Sequence, residues 1–161
     1  LDRDEGSRTA AAASLAALPP AATLELRARL REVVRGSDRD PRVNALAALS
    51  LLRDAETLPL ALELFDPLDV GQTDVAVRVL VQLTAKELPN EAGWRAWYAK
   101  HGREPRSQWL IEALDEDDAR LAAYAVRELE RLLGAEIPFD ENGGKKERQR
   151  VQRLAQRLVA S

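Results

Sequence analysis

The sequence predicts an all-α fold, an α-solenoid of about seven to eight helices stacked as antiparallel pairs, on three observations. About a third of the 161 residues are Ala or Leu, both strong helix formers. Aromatic residues make up only 4% of the chain, which disfavours a sheet. The chain also matches itself at an offset of 49 residues, Arg78 falling on Arg127. A single helical repeat domain over residues 1–161 is expected, with 45% hydrophobic residues to fill its core.

The same composition removes most catalytic chemistries. Without Cys there is no disulfide, no thiolate nucleophile and no Cys-ligated metal, and one His leaves little for a His-based metal site or proton relay. The balance of 24 basic against 27 acidic side chains excludes a uniformly basic nucleic-acid coat. No window approaches the roughly 18 to 20 apolar residues of a membrane span.

Taken in order, Ala10–Leu18 reads as a first helix or tail closed by Pro19-Pro20. A secretory leader is not the expected reading, because its core would be more apolar and follow a net positive start, whereas Asp2, Asp4 and Glu5 oppose Arg3 and Arg8. Leu1 and the absence of Met suit a processed chain or a piece of a longer protein. Leu24–Val34 is apolar at 26, 30, 33 and 34, one face of a helix, with Gly36 as its stop. Asp40-Pro41 reads as a cap and first residue of the next helix, which is apolar on several sides through Leu52 and therefore packed between neighbours. Glu63–Phe65 ends a helix and Asp66–Asp69 turns the chain.

Val75–Leu83 places a branched apolar residue at every odd position, a strand pattern. The internal match overrides it. Ala76-Val77-Arg78-x-Leu80 falls on Ala125-Val126-Arg127-x-Leu129, within Ala119–Leu133, which is rich in Ala, Leu, Glu and Arg and has no alternation. Copies of one unit share a conformation, so the valine-rich segment is a buried helix. The match extends through Glu63, Asp66 and Asp69 on Glu112, Asp115 and Asp118, and through Leu83, Glu87 and Pro89 on Leu132, Glu136 and Pro138. A weaker third copy starts at Asp40-x-Arg42-Val43-x-Ala45, matching Asp118-x-Arg120-Leu121-x-Ala123. Units of helix, acidic turn and helix at this length bury their apolar faces by stacking.

Asp74-x-x-Val77-Arg78, the exits Leu83-Thr84-Ala85-Lys86 and Leu133-Gly134-Ala135, and the helix carrying Trp94-Arg95-Ala96-Trp97 resemble the HEAT-repeat family, particularly its bacterial HEAT-like members. The likeness covers about residues 22–160. One departure is that Asp74 stands three residues before Val77, whereas Asp118 stands eight before Val126. The resemblance implies a HEAT- or armadillo-like right-handed stack that presents a surface to another macromolecule.

Three clusters are candidates for function. Trp94, Trp97, Tyr98 and His101 share one helix face, with Trp109 shortly after. They form either an inward face packed on neighbouring helices or an aromatic recognition patch. His101 precedes Gly102 and suits the last turn of a helix. Glu112, Asp115, Glu116, Asp117 and Asp118 crowd together but lack the alternation and central glycine of a calcium loop, and helix capping accounts for them. Residues 144–160 form a basic capping helix whose Lys145, Lys146, Arg148, Arg150, Arg153 and Arg157 face only Glu147 in sequence. Their balance of +5 against the net −3 leaves −8 on the remainder. Val151, Leu154, Ala155 and Leu158 form its apolar stripe.

No phosphate loop, serine elbow or His-Glu-x-x-His helix occurs. The expected function is a non-catalytic scaffold for protein–protein interaction, with no cofactor and no metal. Alternatives are a nucleic-acid binder using the basic last helix, as in HEAT-like DNA glycosylases, or a regulatory module of a larger protein. The partner expected is another protein rather than nucleic acid. The compartment is left open, since the missing Cys suits any redox environment, with a cytoplasmic setting slightly favoured and a processed or exported form the alternative.

Overall fold

The computed structural model describes residues 19–160. Among these residues there are eight helices and no strand: α1 (Pro20–Arg35), α2 (Arg39–Leu51), α3 (Thr57–Glu63), α4 (Val70–Thr84), α5 (Glu91–His101), α6 (Arg106–Ala113), α7 (Ala119–Leu133) and α8 (Gly144–Val159). The valine-rich segment lies inside α4, so the helical reading of its alternation stands. The helix or tail expected ahead of Pro19 lies outside the described residues. The proline pair, expected to close a helix, instead opens α1.

The chain divides inside α4, at Val79–Leu80, into two compact units. In the first, α1 packs on α2, and both touch α3. Val34, Leu46, Leu49, Leu58, Leu60 and Leu64 are among its buried side chains, each contributing about 1.5–3 kcal/mol through loss of apolar surface to water. With seven residues α3 is too short to hold itself as a helix in water, and burial of Thr57, Leu58, Leu60, Ala61 and Leu62 supplies its stability. The turn before α3 is fixed by Asp54, which accepts two hydrogen bonds from Arg31, at 2.7 and 2.8 Å, and a third from the Thr57 hydroxyl at 3.1 Å. Asp40 and Pro41 do not open α2. That helix begins at Arg39, and both residues lie in its first turn.

In the second unit α6, α7 and α8 pack against one another. Leu110, Ile111, Leu114, Ala122, Ala125, Val126, Leu129, Val151 and Ala155 form its core. The apolar stripe expected on α8 is the face it buries, with Leu154 and Leu158 packed at the core's edge.

The 49-residue match is visible in the helix ends. The first and last residues of α4, at 70 and 84, move by 49 onto those of α7, at 119 and 133. The first residue of α3, at 57, moves onto that of α6, at 106. The last residue of α1, at 35, moves onto that of α4. Two helices, α5 and α6, stand between α4 and α7, so the period holds three helices where the sequence suggested a pair. In this register α1, not the segment opening at Asp40, is the earlier counterpart of α4 and α7.

Burial follows the same offset. Thr57, Leu58, Leu60, Ala61, Leu62 and Leu64 are buried, and so are their counterparts Arg106, Ser107, Trp109, Leu110, Ile111 and Ala113. Ala76 and Leu80 on α4 match Ala125 and Leu129 on α7, all four fully buried. Capping repeats as well. Asp69 accepts from the Gln72 amide at 2.9 Å, and Asp118 accepts from the Arg120 and Leu121 amides at 2.8 and 3.1 Å. Asp69 therefore replaces Asp74 as the start signal of α4 and removes the spacing departure. It stands eight residues before Val77, as Asp118 does before Val126. Asp74 is an exposed residue inside the helix.

Candidate functional site

The aromatic cluster and the basic helix both belong to the second unit. Asn90 starts α5 by accepting a 2.9 Å hydrogen bond from the Gly93 amide. One turn on, Trp94 is fully buried, Trp97 and Tyr98 are half-buried, and Trp109 from α6 is buried. Trp97 is the hub. Its ring meets Trp94 edge-on at 6.3 Å and Trp109 at 5.7 Å, and stacks on His101 at 5.4 Å with planes 20° apart. Geometry of this kind contributes about 0.5–1.5 kcal/mol per aromatic pair beyond area burial. Most of the indole surface is thus spent on packing within the unit, leaving parts of Trp97 and Tyr98 facing solvent. The Trp109 indole donates to the His101 carbonyl at 2.8 Å, whereas the buried Nε1 atoms of Trp94 and Trp97 have no acceptor among the described residues.

His101 is the last residue of α5, as its sequence context suggests, and Gly102 follows. Gly102 is required by close approach, since a Cβ there would stand 2.3–2.4 Å from carbons of the Tyr98 ring. The short α5–α6 connection then carries Glu104 back to His101 Nδ1, with Oε2 at 3.1 Å. Glu112, the penultimate residue of α6, brings its Oε2 to 3.2 Å from the same nitrogen. The ligand atoms of His101, Glu104 and Glu112 all lie within 4.8 Å of one another. The sequence did not mark this trio. Glu104 at i+3 from the histidine was the one local sign, and Glu112 read as part of an acidic run.

That run is dispersed by the fold. Glu112 turns to His101, Asp115 accepts from Gln152 at 2.9 Å, Glu116 pairs with Lys86 at 2.6 Å, Asp117 pairs with Arg148, and Asp118 caps α7. Five neighbouring carboxylates serve five separate partners, so they do not converge on one ion. Beside them, an open depression of about 540 Å³ between Glu87 and residues 116–121 is crossed by the Arg120–Glu87 ion pair of 2.9 Å.

The six basic residues of α8 divide by helix geometry. Arg148 lies on the buried side and pairs with Asp117. Lys146, Arg150, Arg153 and Arg157, spaced by four, three and four, form one exposed column opposite Val151 and Ala155. Arg150 is engaged by Glu147 at 2.6 Å and by the Pro138 carbonyl. The hydrogen bond from Arg150 pulls the Glu147 carboxyl down to about 2, well below its ordinary range. Lys145, Lys146, Arg153 and Arg157 meet no carboxylate among the described residues. Lys145 and Lys146 also sit at the N-terminus of α8, where the helix dipole adds to their positive potential.

No family model matches the chain, and neither the curated proteins nor the solved structures returned a match. No described helix is long and apolar enough to cross a membrane.

Proposed function

We propose that the chain is a non-catalytic HEAT- or armadillo-like repeat scaffold whose exposed α8 column docks an acidic surface of another protein. Support for the repeat architecture comes from helix ends, buried positions and caps that all recur at 49 residues. A period with three helices lies nearer the armadillo form than the two-helix HEAT form. The observation that carries the docking face is the column Lys146, Arg150, Arg153 and Arg157. A terminal helix needs polar residues outward for solubility, and mixed charge would serve that. Here Arg150 is shared with Glu147, but Lys146, Arg153 and Arg157 meet no carboxylate among the described residues, so the outward charge is net positive on a chain of net charge −3, a pattern that steers an anionic partner.

The test is capture of partners from the source cells by the wild type and by R153E/R157E, both verified as folded by circular dichroism. A small set of proteins retained by the wild type, released by raised salt and absent from the variant is expected. The same set on both proteins overturns the α8 assignment. A DNA duplex run in parallel separates the nucleic-acid reading. Tight binding whose logarithmic affinity falls by about 0.9 per neutralised phosphate would favour nucleic acid instead.

A further inference from the structure

We propose that His101, Glu104 and Glu112 form a binding site for a divalent transition-metal ion of the zinc class. The first ground is geometric. Zinc bound to imidazole nitrogen and carboxylate oxygen at about 2.0–2.2 Å in a tetrahedron has nitrogen–oxygen edges of about 3.4 Å. The two nitrogen–oxygen edges here measure 3.1 and 3.2 Å, within a few tenths of an ångström of that value, and the two carboxylates reach within 4.8 Å of each other.

The second ground is hydrogen bonding. Both carboxylates are aimed at one nitrogen, Nδ1, which carries at most one proton. A single N–H cannot point straight at two oxygens, and two carboxylates this close repel each other. A dication at the centre satisfies all three groups at once.

Rigidity and enclosure are a third ground. The imidazole is stacked on Trp97, and the His101 carbonyl is held by the Trp109 indole at 2.8 Å and the Glu104 amide at 2.9 Å. Support of this kind fixes ligand orientation. The side chains are 13%, 37% and 24% exposed for His101, Glu104 and Glu112, open enough for an ion to enter and sheltered from bulk water.

The repeat adds a fourth. Forty-nine residues earlier the same positions hold Leu52, Ala55 and Glu63, with Leu52 buried. The helical frame is thus built in the earlier copy without a histidine or the first glutamate, and the trio is a feature of the later copy alone. One nitrogen and two oxygen ligands suit Zn²⁺, Co²⁺, Ni²⁺ or Mn²⁺ rather than Cu(I), which wants sulfur, or Ca²⁺, which wants six to eight oxygens.

Because the chain has one histidine, the imidazole NMR signals report this site alone. Titration with ZnCl₂ is expected to shift those signals and to give a one-to-one calorimetric isotherm in the wild type. E104Q and E112Q, which keep side-chain shape, are expected to weaken binding at least tenfold with an unchanged circular dichroism spectrum, and H101N to abolish it. Raised thermal stability with ZnCl₂ but not CaCl₂, in the wild type only, is the companion readout. Zinc bound equally by the wild type and all three variants, or no imidazole shift at excess ZnCl₂, overturns the site.

Discussion

Arg106 on α6 and Glu128 on α7 form an ion pair of 2.8 Å in which both side chains are buried. Arg106 also donates to the Leu83 and Gln82 carbonyls at 3.0 and 3.3 Å, and Glu128 accepts a second cation, Arg131, at 2.6 Å. Removing one partner strands a buried charge, whereas removing both does not. Glu128→Leu alone is expected to cost about 3–5 kcal/mol. The double variant R106M/E128L is expected to lose well under the sum of the two single losses. Urea unfolding of the four proteins checks this, and additive single losses would refute the coupling.

Two carboxylates tie acid stability to named pairs. Asp69 is held down to about 2 from an ordinary 3.8, first by its hydrogen bond from Arg39 and then by the Gln72 amide. Glu147 falls to about 2 from 4.5 through Arg150. Folded values below the unfolded ones mean that the stabilisation is present above about pH 5. It drains away as the pH falls toward 2 and the folded carboxyls take up protons. The thermal midpoint is therefore expected to drop between about pH 5 and pH 2, and Asp69→Asn to flatten part of that drop while keeping the cap. Both pairs are solvent-facing, so added salt should shrink the effect. A variant whose pH profile parallels the wild type would count against the Arg39–Asp69 pair.

Helix α7 ends on Gly134 at φ 64°, and α4 is followed at the equivalent position by Ala85 at φ 55°. A Cβ on Gly134 would meet nothing within 4 Å, so Gly134→Ala carries backbone strain alone. Its expected cost is about 1 kcal/mol. Ala85→Gly relieves similar strain but gives up a buried methyl group worth about 0.8 kcal/mol, so the net change should be under about 1 kcal/mol. Equal destabilisation by both substitutions, measured by chemical denaturation, would contradict the left-handed geometry.

What the sequence revealed was periodic, and what it concealed was tertiary. The alternation over Val75–Leu83 misleads when read alone, because a helix buried on several sides can carry valine at every second position. Its copy at Ala125–Leu129 corrected that reading. The aromatic face was legible because i, i+3, i+4 spacing is a property of one helix. The trio His101, Glu104 and Glu112 was not, since it closes across the α5–α6 connection, and neither was Arg106–Glu128, whose partners are distant in sequence. The acidic run looked like one feature because its members are adjacent. The partners come from elsewhere in the chain, Lys86 from just after α4 and Arg148 and Gln152 from α8, and none is adjacent to the run.

The helical period itself makes the most general expectation. Ala76 and Ala125 occupy equivalent positions, both fully buried, and a larger side chain at either must push apart a close-packed interior. Ala76→Leu and Ala125→Leu are each expected to cost about 1–3 kcal/mol. Arg78 and Arg127, two residues further along α4 and α7, are both exposed, and Arg→Ala at each should change stability by no more than about 0.5 kcal/mol. The four single variants form a matched set across the 49-residue offset, to be ranked by urea midpoint. Costs that pair by position within the repeat support one structural unit used more than once. A tolerated leucine at one alanine and a severe loss at the other would show that the two copies no longer share a packing scheme.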